Sequence, residues 1–438
     1  MTIAKKKKTD EVFGMSNEVL PDSYVDRGDL DSEVAKILGR RVHLAIKGPS
    51  KSGKSWLRQK TIPNSLVVQC RLGYKNTDIF KSALSELGIR LIVEESTKSS
   101  FKGRVEAQGS IGTDLIGRVS TKADAEFSHE GNTTTQNIGR DINDLKFIAN
   151  LIKESGKKLV IEDVHYLPSD QREILAYDLK SLWDYGCFVV LVGVWGDANM
   201  YVDLNSDLSG RIEEKSIEWN PDDLRKIFEN GSSTLNINFS RPIQNKAIID
   251  CHGNAGLIQR LILKSLDEAN INEAQDNLAE ISDLGIYESA AMSVADQLNG
   301  VYQKFAERVA SGIRTRNDST GIYAHAMAAI ISADDAKHMC GIPVDDIFEV
   351  ASKRQPRIQK SNLKSILKKI DGLQVDRDGR GLVVTYDSEE EKVLNVDRQL
   401  LFYRQYVTVN WPWEQLIAEA EAMPPEKSTP MSTDTKLE

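Results

Sequence analysis

Residues 48–55 have the sequence GPSKSGKS, and this loop constrains the fold more than any other part of the chain. Alternating apolar residues over 41–47 predict a strand directly before it, and Trp56, Leu57 and the residues that follow predict a helix directly after it. Glycines in such a turn admit backbone angles that point amide N–H groups inward, and the helix adds its positive end. The setting therefore favours a phosphate-binding loop over a chance match in a glycine-rich turn.

Each position of this loop has an expected role. The Lys54 ammonium is expected to reach the β- and γ-phosphates of a nucleotide, and the Ser55 hydroxyl is expected to bind Mg²⁺, which bridges phosphate oxygens. The residues predicted to hold the nucleotide here are Gly48, Pro49, Ser50, Lys51, Ser52, Gly53, Lys54, Ser55 and Trp56.

Further apolar runs alternate with helical patterns along the first half of the chain. Runs at 66–70, 159–161 and 188–192 predict buried strands, and the stretches 78–87 and 171–183 have helical spacing. Strands that alternate with helices predict an α/β fold with a doubly wound parallel sheet.

Two carboxylates follow the strand predicted before residue 162. Glu162 lies where an acid that orients Mg²⁺ is expected, and Asp163 is placed to polarise an attacking water. Most such strands carry Asp first, so the Glu-Asp order leaves the division of labour between the two open. A solvated strand end is the alternative interpretation. His165 follows closely, and a single His after a strand is more often structural than catalytic.

The chain divides into five predicted parts. A disordered basic tail over 1–20 precedes the core over 21–220, which contains a β-rich insertion at 94–135 that reads as a hairpin or a mobile excursion. A helical lid over 221–290 and a winged-helix domain over 291–422 follow, with a disordered tail over 423–438. In the winged helix, strands over 373–375 and 382–386 are expected to flank a turn-rich tip.

Composition narrows the function classes. The chain has 56 Lys and Arg against 65 Asp and Glu, a net charge of −9, so any nucleic-acid contact must come from a local basic patch. Its four cysteines form no Cys-x-x-Cys pair, which favours neither a zinc site nor a disulfide framework and suits a reducing cytoplasm. No apolar run approaches the ~20 residues that span a bilayer.

The sequence resembles the AAA+ and STAND branch of P-loop NTPases, and within it the origin-recognition-like ATPases of archaea and bacteria. The resemblance covers roughly residues 20–270 and, more weakly, the C-terminal part. It rests on YVDR at 24–27, the 48–55 loop, LVIEDVHYL at 159–167 and CFVVLVGVWG at 187–196. It implies ATP and Mg²⁺ as cofactors, ATP hydrolysis, nucleotide-dependent homo-oligomers, and a place for Arg27 near the adenine.

The resemblance also implies residues that sense the nucleotide or complete a neighbour's site. Arg211, in the segment DLSGRI, is the candidate that acts on a neighbouring protomer, with pairing to Glu213 or Glu214 as the alternative. Trp195 and Asp197 follow the strand that carries a sensor in the family. Arg260, in the Gly-rich start of a lid helix, is either a γ-phosphate sensor or a solvated surface residue.

A basic helix in the C-terminal part reverses the overall charge. Between 353 and 369 there is no acid, and seven positive side chains occur: Lys353, Arg354, Arg357, Lys360, Lys364, Lys368 and Lys369. Lys360, Lys364 and Lys368 lie opposite the apolar face, which is typical of a helix that contacts DNA phosphates, with Arg377 and Arg380 on the wing tip as further contacts. The alternative is a solvated basic face on a domain that binds a partner protein.

These features favour an ATP-driven switch that oligomerises with nucleotide and engages double-stranded DNA or a downstream effector protein. The resemblance alone suggests a role in antiviral defence. An ATP-gated DNA initiator or loader is the alternative, and a non-hydrolysing scaffold that holds ATP as a clamp is another.

Overall fold

The computed structural model describes residues 6–71, 73–94, 102–107, 112, 114–116, 118–119, 144–195, 199–314, 320–375, 381–388, 390–407 and 409–422. Most of the predicted insertion at 94–135, and all of the tail over 423–438, lie outside them. Within the part of the chain so described, no helix has the length and apolar character needed to cross a membrane.

The first half of the chain forms an α/β layer structure. Its helices are α1 (Leu30–Leu38), α2 (Lys54–Thr61), α3 (Asn76–Glu86), α4 (Leu145–Glu154), α5 (Ser169–Asp184) and α6 (Met200–Leu204). Its strands are β1 (His43–Lys47), β2 (Ser65–Gln69), β3 (Ile89–Glu94), β4 (Lys102–Ala107), β5 (Lys158–Glu162), β6 (Val190–Gly193) and β7 (Ile212–Ser216). The antiparallel pair β3 and β4 forms a separate two-stranded sheet, and Ile89 of β3 is buried in the core of this half of the chain.

Five strands form one parallel sheet in the order β2-β5-β6-β1-β7. The central strands are buried on both faces, which explains why they are continuous apolar runs rather than alternating ones. The predicted doubly wound parallel sheet is thereby confirmed.

The sheet register brings four strand ends to one edge. Gln69 at the end of β2 pairs with Glu162 at the end of β5, and Lys47 at the end of β1 pairs with Gly193 at the end of β6. Ligands of open α/β sheets bind outside the carboxyl ends of the strands, where the strand order reverses. The loop after Lys47 and the acids after Ile161 therefore face the same crevice.

The lid follows β7 and consists of α7 (Pro221–Leu235), β8 (Ile237–Phe239), α8 (Arg241–Asp250), α9 (Ala255–Glu268) and β9 (Ala279–Ile281). Side-chain caps fix where its helices begin. Asn220 accepts a hydrogen bond from the Asp223 amide at 2.8 Å, and Asn254 accepts one from the Leu257 amide at 2.9 Å. The second cap sets the turn that touches the phosphate loop.

The N-terminal segment differs from the predicted tail over 1–20 from residue 6 onward. Its chain pairs with the lid through the Thr9 amide, which donates to Asn272 at 3.0 Å, and Val12 and Phe13 are fully buried. Burial of these two apolar side chains offsets part of the entropy of ordering this short polar segment. The run of lysines at Lys5–Lys8 is typical of a disordered tail, so the burial of Val12 and Phe13 was not predicted.

The fit of Phe13 makes a prediction about Gly231 in α7. A Cβ added at Gly231 would lie 2.1 Å from Phe13 Cζ. Gly→Ala in a helix normally stabilises by about 0.5–1 kcal/mol, but here the overlap is expected to make Gly231→Ala destabilising by about 1–3 kcal/mol. Gly300→Ala is the matched control, because that helical glycine has open space around its Cβ position. Chemical denaturation measures both; equal stabilisation of the two variants would contradict the packing.

The C-terminal unit follows a 31-residue helix, α10 (Leu284–Arg314). It contains α11 (Ile322–Ser332), α12 (Asp335–Cys340), β10 (Ile342–Pro343), α13 (Val344–Arg354), α14 (Lys360–Leu367), α15 (Asp371–Gln374), β11 (Val384–Asp387), β12 (Lys392–Asn395), α16 (Gln399–Tyr406) and α17 (Pro412–Ala422). The strands form an antiparallel sheet in the order β10-β12-β11. From α12 to β12, a helix, a strand, three helices and an antiparallel strand pair follow one another, and the winged-helix interpretation stays a prediction.

Two details of the C-terminal prediction are wrong. Residues 371–374 form a helical turn rather than a strand, and the hairpin pairs β11 with β12, one strand later than predicted. The buried Gln374 amide explains the difference, because it accepts from the Val384 amide at 2.9 Å and donates to the Val384 carbonyl at 2.9 Å. A side chain thus takes the place of a backbone partner beside β11.

The predicted domain boundary after residue 290 also differs from the structure. It falls inside α10, and apolar residues of the lid and of the C-terminal unit belong to one continuous buried cluster. Lid and C-terminal unit therefore share a core.

Candidate nucleotide-binding site

The loop between β1 and α2 requires its glycines. Gly48 has φ 159° and a Cβ there would lie 2.8 Å from the Ile217 carbonyl oxygen, and Gly53 has φ 87° directly before α2. Lys51 also takes a left-handed conformation, with φ 60°. These angles are what a loop needs in order to curl around an anion and lead into a helix N-terminus.

Lys54 is the first residue of α2 and is only 8% exposed. Its ammonium donates to the carbonyl oxygens of Gly48 at 2.9 Å and Pro49 at 2.6 Å, so it lies across the mouth of the loop. Burial lowers the pKa of Lys54 to about 8, while the carboxylates of Asp163 and Glu162 act in the opposite direction. Ser55 lies beside it and lines the same cavity.

The two acids after β5 point in different directions. Asp163 lines the cavity, has a left-handed backbone with φ 59°, and accepts a hydrogen bond from Gln69 Nε2 at 2.8 Å. Glu162 instead pairs with Arg58, whose Nε lies 3.1 Å from Glu162 Oε1. The sequence placed both acids at this edge but did not show that Arg58 holds one of them.

His165 joins the acid-bearing loop to β6. Its Nδ1 accepts a hydrogen bond from the Val194 amide at 3.3 Å. Burial, with help from the charges of Lys54 and Arg172, lowers the pKa of His165 to about 3, so the ring is neutral near pH 7. A neutral ring that ties two loops together supports the structural interpretation of this residue.

A cavity of about 300 Å³ extends from these groups toward the N-terminal segment and the lid. Arg27 forms one wall: its guanidinium donates to the Ser52 carbonyl at 3.0 Å and lies 4.3 Å over the Trp219 ring. Trp219 Nε1 donates to the same carbonyl at 2.8 Å. Trp56 lines the cavity and donates from Nε1 to the Ser16 carbonyl at 3.0 Å.

Lid and C-terminal unit both touch the phosphate loop. The Gly256 amide donates to the Lys51 carbonyl at 3.0 Å, and Asn254 Nδ2 lies 3.4 Å from the Ser50 carbonyl. The Ser50 amide donates to the carbonyl of Val396, which follows β12, at 3.0 Å. Trp219, Asn254 and Val396 had no sequence signal for this role, because only the tertiary fold brings them to the loop.

Two of the predicted sensor residues, Trp195 and Arg260, do not line the cavity. Trp195 is buried and donates to Glu214 Oε2 at 3.0 Å, so its indole serves packing, and Asp197 lies outside the described residues. Arg260 binds Gln297 and does not line the cavity, which agrees with a surface role rather than a γ-phosphate sensor.

Arg211 lies at the opposite edge of the sheet from the phosphate loop. Its carbonyl accepts a hydrogen bond from His43, the first residue of β1, and its guanidinium lies 4.8 Å over the Trp183 ring. The alternative partners are otherwise engaged, since Glu213 pairs with Arg40 and Glu214 pairs with Lys47. Because Arg211 lies at the edge of the sheet opposite the phosphate loop, it does not act on the nucleotide site of its own chain. Its action on the nucleotide site of a neighbouring protomer stays a prediction.

The predicted nucleic-acid contacts are partly neutralised. Lys360 forms an ion pair with Asp345, and Lys364 forms one with Glu391. Lys368 has no acidic partner within the described ranges, whereas Arg377 and Arg380 fall in the gap at 376–380. The helix is basic in sequence, but two of its three outward lysines face acids of the same unit.

Polar groups at the site that have no hydrogen-bond partner among the described residues, and oxygen atoms that could bind a cation, are suited to a nucleotide with Mg²⁺. Ser52 Oγ and Arg27 Nε are buried without a hydrogen-bond partner in the described part of the chain. Ser55 and the acids offer the oxygen ligands that Mg²⁺ prefers. The described residues contain no group of three or more His, Cys, Asp or Glu that could hold a metal ion.

Comparisons with known proteins reach the fold only. No family model and no curated protein matches the chain. Similar solved structures include the Orc1 protein of Aeropyrum pernix in complex with DNA, at 11% identity and TM-score 0.36 over 88% of this chain and 93% of that one. A Walker-type ATPase of Pyrococcus abyssi matches at 13% identity and TM-score 0.48, over 87% and 96%.

A STAND protein with a tetratricopeptide-repeat sensor from Pyrococcus horikoshii matches at 12% identity and TM-score 0.34, over 94% of this chain and 45% of that one. With TM-scores under 0.5, these likenesses decide nothing about function.

Proposed function

We propose that the protein is a Mg²⁺-dependent molecular switch that binds and hydrolyses ATP. The observation that carries the proposal is one cavity that joins Lys54, Ser55 and Asp163 at the carboxyl edge of a parallel sheet. The buried Nε of Arg27, a side chain that lines the cavity, has no hydrogen-bond partner among the described residues and supports the proposal, because such an atom is costly unless a ligand satisfies it.

The residues divide the chemistry among themselves. The loop amides and the Lys54 ammonium hold the phosphates in place, and Asp163 orients and polarises the attacking water. Ser55 with Glu162 or Asp163 would hold Mg²⁺, which offsets charge on the phosphate oxygens when bound. Arg27, Trp219 and Trp56 also line the cavity, and the base would lie against them.

Assembly is the second part of the proposal. A protomer whose own Arg211 lies at the far edge of the sheet from its phosphate loop can offer that side chain to a neighbour's γ-phosphate. Homo-oligomers that form with ATP and dissolve after hydrolysis would follow from this arrangement.

The C-terminal unit is proposed as a winged helix that engages the downstream partner, either DNA or an effector protein. The DNA alternative, an ATP-gated initiator or loader, is favoured by Lys353, Lys368 and Lys369, which form no ion pair with a described residue. The ion pairs of Lys360 and Lys364 favour a protein partner. A role in antiviral defence is supported by the sequence resemblance only.

Light scattering on the purified protein tests the switch. We expect a larger particle with ATP and Mg²⁺ than with ADP or no nucleotide, together with release of phosphate. Growth that requires duplex DNA, and that weakens steeply with salt, would point to the initiator. Lys368→Glu with Lys369→Glu should then abolish growth, whereas the charge-matched control Lys81→Glu with Lys180→Glu should not. ATP binding without turnover would instead support the non-hydrolysing scaffold.

A further inference from the structure

Helix α2 carries the buried cation Lys54, which belongs to the phosphate loop, and a second, partly buried cation, Arg58, which does not. Lys54 begins the helix, and Arg58 follows one turn later on the same side. Arg58 Nε lies 3.1 Å from Glu162 Oε1, and the two side chains are only 15% and 12% exposed. This contact links the helix to the end of β5.

The pairing is selective for one of two adjacent acids. The chain turns at Asp163, whose left-handed backbone sends that carboxylate into the cavity and toward Gln69. Glu162 is left against α2, where Arg58 offsets its charge. Without Arg58, Glu162 would be a poorly solvated carboxylate with an unmet charge.

A guanidinium at this place also affects Mg²⁺. The carboxylate that Arg58 holds ends β5 at the same edge of the sheet as the loop that carries Ser55, and its charge acts on Lys54 in that loop. We take it as an oxygen ligand for an ion at Ser55, directly or through water. Two cations that approach one carboxylate repel each other, and the repulsion is strong where solvent is scarce. Arg58 therefore opposes the ion at the oxygen that it holds.

We propose that Arg58 is a positioning residue that holds Glu162 and competes with Mg²⁺ for its carboxylate, so that it sets the Mg²⁺ concentration at which the site binds nucleotide. This inference rests on the proposed function, because it concerns the same nucleotide site. It assigns the two acids different work: Asp163 faces the phosphates, and Glu162 is shared between a built-in cation and the ion.

Nucleotide binding, rather than turnover, provides the test. ADP that carries a fluorescent methylanthraniloyl group is titrated with Mg²⁺ on the full chain, and the half-saturating Mg²⁺ concentration is recorded. We expect Arg58→Met to lower that concentration roughly tenfold, since it removes a nearby positive charge. Arg58→Lys, which keeps the charge, should stay near wild type. Arg40→Met is the matched control, because it breaks an exposed ion pair with Glu213.

A second variant and a double mutant protect the test from folding effects. Arg58→Gln keeps a hydrogen-bond donor for Glu162 without the charge, and it should lower the Mg²⁺ requirement as Arg58→Met does. In a Glu162→Gln background, most of the shift caused by Arg58→Met should disappear, because no carboxylate remains to compete for. Thermal unfolding without nucleotide reports the stability of each variant.

The outcomes separate this inference from the proposed function. An unchanged or higher Mg²⁺ requirement in both Arg58→Met and Arg58→Gln would overturn it, as would an equal shift with and without Glu162. Wild-type protein that binds the ADP probe equally with and without Mg²⁺ would also overturn it while leaving nucleotide binding intact. Absence of probe binding to wild type under all conditions would overturn the proposed function as well.

Discussion

Lys54→Ala is expected to lower kcat/KM for ATP by two to three orders of magnitude, about 3–4 kcal/mol of transition-state stabilisation. The ammonium lies across the mouth of the loop, where it now donates to the carbonyls of Gly48 and Pro49. A methyl group there leaves the β- and γ-phosphate oxygens without their charged donor. Phosphate release at varied ATP concentrations measures the loss.

Lys180→Ala is the control for this substitution, since Lys180 pairs with Asp184 on the surface of α5. Its kinetics should match wild type. Because Lys54 is buried, thermal unfolding of Lys54→Ala must show that the fold survives. Turnover within a few-fold of wild type in a folded Lys54→Ala protein would mean that the loop does not hold the phosphates.

Asp163→Asn is expected to retain nucleotide and lose turnover by a factor of about 10²–10⁴. The amide has nearly the same shape as the carboxylate and can still accept a hydrogen bond from Gln69. It cannot accept a proton from an attacking water. Equilibrium binding of ATP and single-turnover phosphate release together separate the two effects.

The matched change Asp184→Asn breaks a surface ion pair and should leave both measurements unaltered. Glu162→Gln is informative beside it: if Glu162 were the residue that polarises water, Glu162→Gln and not Asp163→Asn would lose turnover with binding intact. That result would reverse the assignment of the two acids.

The sequence was sufficient to predict the features that depend on local pattern. Glycines at 48 and 53, the apolar strands and the acids at 162 and 163 each occupy fixed offsets from the next element, so the strand-loop-helix and the parallel sheet followed from periodicity. The parallel register then placed the loop and the acids at one edge.

Features that depend on tertiary contact could not be read this way. Arg58 and Glu162 are 104 residues apart, and their pairing depends on how α2 packs on β5. The alternation of Leu373 and Val375 is typical of a strand, but residues 371–374 form a helical turn. In that turn the Gln374 side chain accepts a hydrogen bond from the Val384 amide of β11, a contact that the sequence pattern does not show. Phe13 follows a charged run, and its packing against Gly231 of α7 is a contact between residues far apart in the sequence. The sequence pattern therefore predicted a disordered tail.

The hydrogen bond from the Ser50 amide to the Val396 carbonyl joins the nucleotide loop to a residue near the other end of the chain. Such a bond couples nucleotide binding at the loop to the binding of a partner at the C-terminal unit, and coupling of this kind is reciprocal. A molecule that pulls the C-terminal unit away from the loop must alter nucleotide affinity by the same factor by which nucleotide alters the affinity for that molecule. An output partner of this protein is, in thermodynamic terms, also an input to its nucleotide cycle.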